Sequence, residues 1–391
     1  MLILNRKKSK NMNVYIRTDS SIEIGTGHVM RCLVLAEQLR KRNAEVIFIC
    51  RNLNGSLIPL LKDKGFPVKV LPSYSDADIN MMNWMETNWQ IDAKETANKI
   101  TERKETVDWL IIDHYGIDVK WEQFVRPFVK HMMVIDDLAN RPHDCDLILD
   151  QNLYPNMENR YDNLVPKNTK KLLGIRYVLL REEFLRYKNF YRKANEVNKI
   201  LISFGGSDPT NETLKVIKAV ESLYLSNVHV EVVIGYSNPH RDTIRTYCQH
   251  IPYIRVHENI QYISTLMKEA DIAIGSGGSS SWERCFMCLP TITIETATNQ
   301  TEILTYLSNL GAICHLGKSE EVDEKLIAKA ISIFINDIEI IQQMIFNLND
   351  IKEQFDTSAV VDELFSIRQS SATPKRSLLK KDEQGGKKDV E

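Results

Sequence analysis

A histidine between a glycine-rich turn and a helical pattern is the clearest candidate for acid–base chemistry in this sequence. The segment Gly25-Thr26-Gly27-His28 follows an apolar run, and the apolar residues after it recur on one helical face. His28 is therefore predicted at a helix start, where the positive end of the helix disfavours the imidazolium and leaves a ring that can accept a proton. The alternative is a histidine that only caps the helix, and spacing alone does not decide between the two.

Polar side chains follow several of the apolar runs. Arg17 and Asp19 come after the first run, and Asp113, Asp136-Asp137 and Asp150 come after later ones. Because ligands of open α/β sheets bind beyond the carboxyl ends of the strands, these side chains can collect in one site that binds a metal, orients a base or holds sugar hydroxyls. An aspartate at a strand end also caps the following helix, which is the simpler interpretation of any one of them. No compact ligand spacing predicts a metal site.

Two glycine-rich loops in the second half of the chain predict an anion-binding site. Gly205-Gly206-Ser207-Asp208 and the loop 275–281 each follow an apolar run and lead into a helical pattern. Backbone N–H groups at a helix start, free of bulky neighbours, suit a diphosphate. A flexible linker is the alternative, although a linker is not expected between a strand and a helix. Neither loop matches a Walker A or a dinucleotide fingerprint.

Within these loops we assign nucleotide contacts to Gly205 and Gly206, and to the end of the second loop at Gly278, Ser279 and Ser280. Gly235, which directly follows the apolar run 230–234, is assigned with them. Glu283 lies one turn into the helix after the second loop and is predicted to reach ribose hydroxyls; the alternative is a solvated helix glutamate.

Composition sets the class of protein. The 391 residues are 43% hydrophobic and 26% charged, as in soluble globular proteins, and the length predicts two domains. The net charge of 50 − 52 = −2 argues against a dedicated nucleic-acid binder, and no apolar stretch is long enough to span a bilayer.

Seven cysteines form no disulfide framework, and the Cys285/Cys288 pair is expected to pack inside a helix. With no signal sequence recognised, a cytoplasmic protein is expected.

The elements that carry these residues alternate between buried β runs and amphipathic helices, which predicts parallel strands covered on both faces. Two successive sets of similar size predict an α/β protein of two Rossmann-like domains facing each other across a cleft. The expected ranges are an extension (1–11), a first domain carrying the catalytic loops (12–165), a linker (166–198), a nucleotide-binding domain (199–318), C-terminal helices (319–370) and a disordered tail (371–391).

The chain resembles the UDP-sugar hydrolases of pseudaminic acid biosynthesis, in the GT-B glycosyltransferase-like superfamily. The resemblance covers about residues 13–317 and rests on several motifs in one order, namely Ile24 to Cys32, Ile112 to Gly116, Asp136-Asp137-Leu138, His143 to Asp146, Leu180 to Phe184, Phe204 to Asp208 and Asn299-Gln300.

The resemblance implies a hydrolase that needs no metal or cofactor and releases UDP from UDP-2,4-diacetamido-2,4,6-trideoxy-β-L-altropyranose. It implies water attack at the anomeric carbon with inversion and His28 as the base. It also implies the nucleotide in the C-terminal domain, with Glu283 on the ribose, and last helices that cross back to the N-terminal domain. The residues expected around the substrate are Arg17, Asp19, Gly27, Tyr115, Asn299 and Gln300.

Two other functions fit the same pattern. One is a GT-B glycosyltransferase that passes a sugar from a UDP-sugar donor to an acceptor, for example in spore coat or surface polysaccharide synthesis. The other is a module that binds a nucleotide sugar without turning it over. No nucleic-acid partner and no membrane insertion are expected. The sequence gives neither the stereochemistry of the sugar nor the oligomeric state.

Overall fold

The computed structural model describes residues 11–74, 81–225 and 227–372, without the side chains of 81–83 and 370–372. Within these residues the chain forms two parallel sheets, each covered by helices on both faces. This confirms the predicted α/β architecture of two Rossmann-like domains. The expected extension and tail fall almost wholly on residues outside the described ranges.

The first sheet has the strand order β3-β2-β1-β4-β5-β6-β7. Its strands are β1 (Asn13–Thr18), β2 (Glu45–Arg51), β3 (Val68–Leu71), β4 (Val107–Asp113), β5 (Val129–Ile135), β6 (Leu147–Asp150) and β7 (Lys170–Leu173). The order in which strands are added reverses between β1 and β4, which are parallel, hydrogen-bonded neighbours. Strands β2 and β3 are added on one side of this point, and β5, β6 and β7 on the other. The carboxyl ends of β1 and β4 therefore border the crevice in which open α/β sheets bind ligands.

The second sheet has the strand order β10-β9-β8-β11-β12-β13. Its strands are β8 (Lys199–Ser203), β9 (His229–Ile234), β10 (Ile254–Glu258), β11 (Ile272–Gly275), β12 (Thr291–Glu295) and β13 (Cys314–Lys318). In this sheet the order of strand addition reverses between β8 and β11, and the two glycine-rich loops follow those two strands. The predicted catalytic and nucleotide loops thus occupy equivalent places in the two domains.

The helices follow the strands in the βα order that the sequence predicts. They are α1 (Gly27–Lys41), α2 (Ile58–Asp63), α3 (Met81–Thr101), α4 (Val119–Val125), α5 (Glu182–Leu185), α6 (Glu212–Glu221), α7 (Arg241–Cys248), α8 (Ile263–Glu269), α9 (Ser280–Phe286), α10 (Thr301–Asn309), α11 (Glu324–Asn336), α12 (Ile338–Lys352) and α13 (Ala359–Ala372).

The first domain extends past its predicted end at residue 165. Strand β7 lies inside the segment predicted as a linker, and it pairs with β6 from Leu147↔Lys170 to Asp150↔Leu173. Its sequence, Lys-Lys-Leu-Leu, gives no apolar run, because an edge strand exposes one side to water and tolerates lysine. The boundary prediction therefore misses an edge strand.

The last helix, α13, returns to the first domain. Val360, Val361 and Leu364 belong to the core that contains α1 and β1, and the indole N–H of Trp109 donates to the carbonyl of Leu364 at 3.2 Å. The final helices therefore cross back as the resemblance implied. The C-terminal part of the described chain therefore packs in the core of the first domain.

Candidate active site

His28 is the second residue of α1, directly after the glycine turn, as predicted. Val29, Cys32, Leu33 and Ala36 are buried, so the predicted apolar face fixes the helix against the sheet. The His28 side chain is only 6% exposed. Its ring is thus held by the fold and is not a solvated cap.

A carboxylate from the neighbouring strand holds this ring. His28 Nδ1 lies 2.6 Å from Oδ1 of Asp113, the last residue of β4. The contact follows from the sheet order, because Thr18 at the end of β1 is paired with Asp113. The carboxylate accepts the Nδ1 proton, which leaves Nε2 as the proton acceptor of the ring. No other described side chain hydrogen-bonds to the His28 ring.

Arg31, one turn after His28, completes the support. Its Nε and Nη2 donate to the two oxygens of Asp113 at 2.9 and 2.8 Å, and its Nη1 donates to Asp137 at 3.2 Å. Burial by itself raises the pKa of Asp113, but Arg31 and His28 outweigh it, so the pKa lies well below the usual carboxyl range. Asp113 is therefore ionised across the neutral pH range.

Tyr115 connects this cluster to the opposite domain. Its hydroxyl donates to Asp137 Oδ1 at 2.7 Å, and its ring meets the ring of His28 edge to face at 4.4 Å. Burial and the charge of Asp137 raise the pKa of Tyr115 far above its usual value, so the hydroxyl stays protonated. Asn299 Nδ2 donates to the same hydroxyl at 3.3 Å from the second domain. His28, Tyr115 and Asn299 thus meet in one place, and their roles toward a substrate stay predictions.

Gln300 lies beside Asn299 but has a different role. Its Oε1 accepts from the backbone N–H groups of Gly277 and Thr296, each at 3.1 Å. Gln300 therefore fixes the second glycine-rich loop against the end of β12. Its predicted substrate contact stays a prediction beside this positioning role.

Arg17 and Asp19 do not face the cleft. Both side chains are fully buried, and Arg17 pairs with Asp19 at 2.6 Å and with Asp92 of α3 at 2.7 Å. Asp19 also accepts from the backbone N–H of Arg51 at 2.7 Å. The predicted substrate contacts of Arg17 and Asp19 are wrong, because both charged side chains are buried inside the first domain and have no surface to offer a ligand. They brace the loop that leads from β1 to Gly27, which itself has open space around it.

The first glycine-rich loop of the second domain approaches the first domain closely. A Cβ on Gly206 would lie 2.3 Å from Oγ1 of Thr26, which is two residues before His28 in sequence. Behind the loop, a Cβ on Gly235 would lie 2.2 Å from the carbonyl oxygen of Gly205. Gly205 has a φ of +81°, which favours glycine. Gly235 therefore backs the loop, and a direct nucleotide contact by Gly235 stays a prediction.

The second glycine-rich loop leads into α9 as predicted, with Ser279 exposed and Gly278 and Ser280 partly exposed. Arg284 braces it from inside the domain, donating to the carbonyl of Ser276 at 2.6 Å. The loop is thus held by buried contacts while its tip stays accessible. Nucleotide binding by this tip remains a prediction.

Glu283 is paired, and its partner stands in the motif Leu180 to Phe184, in which the sequence predicts no site residue. Arg181 Nε and Nη2 donate to its two carboxylate oxygens at 2.6 and 2.8 Å. Arg181 belongs to the segment predicted as a linker. Sequence reasoning also left Asp113 and Arg31 out of the predicted site. Asp113 is predicted only as a strand-end carboxylate, and two signals point to Arg31, namely its place in the motif Ile24 to Cys32 and its three-residue spacing from His28.

Asp150 is a second unusual carboxyl group near this edge of the first sheet. Its Oδ2 accepts from the hydroxyl of Tyr161 at 3.1 Å and from Arg160 Nε at 3.2 Å. Burial, followed by the nearby charge of Asp137, raises its pKa to about 7. Asp150 therefore titrates near neutral pH, where most carboxyl groups are fully ionised.

Two classes of feature are not found in the part of the chain that the structure describes. No group of three or more His, Cys, Asp or Glu side chains is arranged to hold a metal ion. No described helix is both long and apolar enough to cross a membrane. Cys285 and Cys288 are both buried in the second domain as predicted, but only Cys285 lies inside a helix, because α9 ends at Phe286 and Cys288 has a φ of +48°.

Known sequences similar to this one include a UDP-sugar hydrolase, a spore coat polysaccharide biosynthesis protein and an uncharacterized protein. A Campylobacter jejuni protein named UDP-2,4-diacetamido-2,4,6-trideoxy-beta-L-altropyranose hydrolase is 30% identical over 300 residues, covering 77% of this chain and 97% of that protein. The spore coat polysaccharide biosynthesis protein SpsG of Bacillus subtilis is 25% identical over 320 residues, covering 81% and 87%. An uncharacterized Methanocaldococcus jannaschii protein is 27% identical over 290 residues; the match covers 72% of this chain and 55% of that longer protein. A scan against protein-family models finds no match.

Solved structures share the fold at low identity. A UGT2 of Phytolacca americana complexed with UDP-2fluoro-glucose and pterostilbene has a TM-score of 0.66 at 10% identity, covering 92% of this chain and 100% of that one. MurG of Acinetobacter baumannii has a TM-score of 0.61 at 13% identity, covering 92% and 99%. Both matches span more than nine tenths of this chain, and the fold of this chain is of the GT-B type.

Proposed function

The chain belongs to the family of the UDP-2,4-diacetamido-2,4,6-trideoxy-β-L-altropyranose hydrolase, and from this premise we propose that it hydrolyses a UDP-sugar. The observation that carries the proposal is the contact of 2.6 Å between His28 Nδ1 and Asp113. It gives the cleft an oriented base whose second nitrogen is left for water.

The proposed reaction is a single displacement. Nε2 of His28 takes a proton from water as the water oxygen bonds to the anomeric carbon. The bond from that carbon to the diphosphate oxygen breaks, and its electron pair leaves with UDP. General-base catalysis of this kind contributes about 10²–10⁴-fold. The backbone N–H groups of the loops at Gly205-Gly206 and Gly278 to Ser280 stabilise the charge that collects on the departing diphosphate.

The arrangement of the carboxylates supports inversion. A retaining mechanism needs a carboxylate that is free to bond to the anomeric carbon. Near His28, both oxygens of Asp113 are occupied by His28 and Arg31, and those of Asp137 by Tyr115 and Arg31. Asp137 contacts the Tyr115 hydroxyl directly but also accepts from Arg31, so the proposed base is the imidazole of His28, whose ring packs against that of Tyr115. The imidazole would activate a water molecule, and a single displacement by that water inverts the anomeric carbon.

The substrate proposed is the one in the name of the Campylobacter relative, because this chain matches almost the whole of that protein. Tyr115 and Asn299, from opposite domains, are proposed to hold the sugar, and Gly27 leaves space beside it. Gly27, Tyr115 and Asn299 stand in the motifs Ile24 to Cys32, Ile112 to Gly116 and Asn299-Gln300, on which the resemblance to the family rests. A 2,4-diacetamido sugar is the substrate class to test first.

A glycosyltransferase is the second candidate, since SpsG is named for polysaccharide biosynthesis and the fold is that of glycosyltransferases. The two functions differ in the need for an acceptor. We would incubate the protein with a panel of UDP-2,4-diacetamido sugars and no acceptor, and follow free UDP and free sugar. Rapid release of both supports the hydrolase. Release only after an acceptor is added supports the transferase, and tight binding without any release supports a binding module.

A further inference from the structure

Arg181 and Glu283 form the most directional ion pair between the interdomain segment and the nucleotide-binding domain. Two parallel N–H donors of the guanidinium face two carboxylate oxygens, Nε to Oε1 at 2.6 Å and Nη2 to Oε2 at 2.8 Å. Arg181 directly precedes α5, whereas Glu283 lies in the first turn of α9, 102 residues later. A bidentate pair of this kind fixes the plane and direction of the carboxylate, which a single contact does not.

The guanidinium is itself held in place. Its Nη1 lies 3.1 Å from Oε1 of Glu183, and the other oxygen of Glu183 accepts from the backbone N–H of Ser264 at 3.0 Å. Ser264 belongs to the first turn of α8, so the pair is anchored to two helices of the second domain. The anchor prevents Arg181 from swinging away when Glu283 binds a further group.

The carboxylate of Glu283 keeps unused acceptor positions. An ionised carboxylate has about four lone-pair sites, and Arg181 occupies two of them. No other described side chain or backbone N–H group donates to this carboxylate, and the side chain is 12% exposed. It stands within one turn of Ser279 and Ser280, the accessible end of the predicted nucleotide loop. Two free acceptor sites match the two donors of a vicinal diol.

We infer that Arg181 is a positioning residue that presents Glu283 to the ribose diol of the nucleotide, so that the site selects ribonucleotides over 2′-deoxyribonucleotides. The inference rests on the proposed function for the identity of the ligand. Arg181 does not touch the nucleotide; it fixes the acceptor that does. Lysine at this position keeps the charge but loses the two-pronged geometry.

The test is calorimetric binding of UDP and of 2′-deoxy-UDP to the full-length protein. The wild type is expected to bind UDP about 10- to 100-fold more tightly, because a hydrogen bond to a charged group contributes about 1.5–3 kcal/mol. Arg181→Lys is expected to reduce this preference below about threefold. The reduction comes mainly from weaker binding of UDP, because 2′-deoxy-UDP keeps only the 3′-hydroxyl contact with Glu283 and therefore has less affinity to lose. Glu283→Gln is expected to lose the same preference.

Arg176→Lys is the matched control, since Arg176 lies in the same segment and pairs with Asp356 on the surface. It keeps the wild-type preference. Equal loss of affinity for both nucleotides in Arg181→Lys, or an undiminished preference for UDP, overturns the inference. Arg181→Met tests the charge as well, and Arg181→Lys decides the question if that variant does not fold.

The inference and the proposed function fail in different ways. A wild type that releases UDP from its sugar but binds UDP and 2′-deoxy-UDP equally contradicts the role of Arg181 alone. A wild type that shows the preference, loses it in Arg181→Lys and never hydrolyses a UDP-sugar contradicts the proposed reaction alone. Binding of neither nucleotide contradicts both.

Discussion

His28 Nδ1 and Asp113 Oδ1 lie 2.6 Å apart, although 85 residues separate them in the chain. The contact exists because β1 and β4 are adjacent parallel strands, so that the turn after one reaches the last residue of the other. Arg31 donates to the same carboxylate from the next turn of α1. The three side chains form a buried unit in which the imidazole is oriented before any ligand arrives.

Asp113→Asn is expected to lower kcat by about 10²–10⁴-fold, because the amide no longer secures the tautomer that leaves Nε2 as the base. UDP affinity is expected to change little, since Asp113 does not contact the nucleotide loops. Asp118→Asn is the control, because Asp118 only caps α4 and asparagine caps a helix equally well. Steady-state kinetics and UDP titration on both variants check this. A kcat within threefold of the wild type would remove Asp113 from the mechanism.

The Tyr115–Asn299 contact predicts coupling between the two domains in substrate binding. Tyr115→Phe and Asn299→Ala each raise KM, and the double variant raises it by less than the product of the two effects. The expected coupling energy is about 0.5–1.5 kcal/mol, the range for one hydrogen bond. Thr298→Ala, on the same turn, serves as the control. Strictly multiplicative effects on KM would show that this hydrogen bond is absent from the substrate complex.

Asp150 predicts a pH-dependent penalty on stability. Its pKa is raised to about 7 in the folded protein, whereas an unfolded Asp ionises near pH 4. Between these values the folded state binds one proton more than the unfolded state, so the free energy of unfolding falls as pH rises. Asp150→Asn removes this loss. The melting temperature of the variant, relative to wild type, should therefore rise between pH 5 and pH 8.

The control for that experiment is Asp162→Asn, since Asp162 pairs with Lys171 at the surface. Its melting temperature relative to wild type is expected to stay constant over the same range. A constant difference for Asp150→Asn as well would mean that Asp150 ionises normally in the folded protein.

Gly235 and Gly278 predict opposite responses to an added methyl group. A Cβ on Gly235 would lie 2.2 Å from the Gly205 carbonyl oxygen and 2.4 Å from that of Gly206, so the backbone must move. Gly235→Ala is expected to lower the free energy of unfolding by about 1–3 kcal/mol and to weaken UDP binding by displacing the loop. Gly278 has nothing within 4 Å, and Gly278→Ala should unfold like the wild type. Urea denaturation compares the two, and equal stability would contradict the close approach of the loops.

The fold was predictable wherever strands are buried on both faces, because such strands appear as apolar runs whatever lies around them. Strand β4, Val-Asp-Trp-Leu-Ile-Ile-Asp, is buried along its whole length and has this pattern. Strand β7 lacks it, since Lys170 and Lys171 are exposed at the sheet edge. The ranges of the domains depend on such edge strands, and for that reason the first domain is longer than predicted.

The site was predictable where the chemistry lies in a short motif and unpredictable where it depends on burial. His28, Tyr115 and Asn299 stand in motifs and come together in the structure. The resemblance places Arg17 around the substrate, but Arg17 lies within β1 and Asp92 of α3 holds its side chain inside the domain. No spacing in the sequence reveals that pair, because the side chains meet only once α3 has packed on the sheet.

The most direct test of the proposed chemistry follows oxygen-18 from labelled water during turnover of UDP-2,4-diacetamido-2,4,6-trideoxy-β-L-altropyranose without an acceptor. Direct water attack predicts the label on the anomeric oxygen of the released sugar, none in UDP, and the α anomer first in NMR spectra. Free sugar kept in the same water controls for exchange, and His28→Ala should lower the rate by about 10²–10⁴-fold while still binding UDP. Label in the UDP phosphate, or no release of UDP without an acceptor, would contradict hydrolysis by water attack at the anomeric carbon.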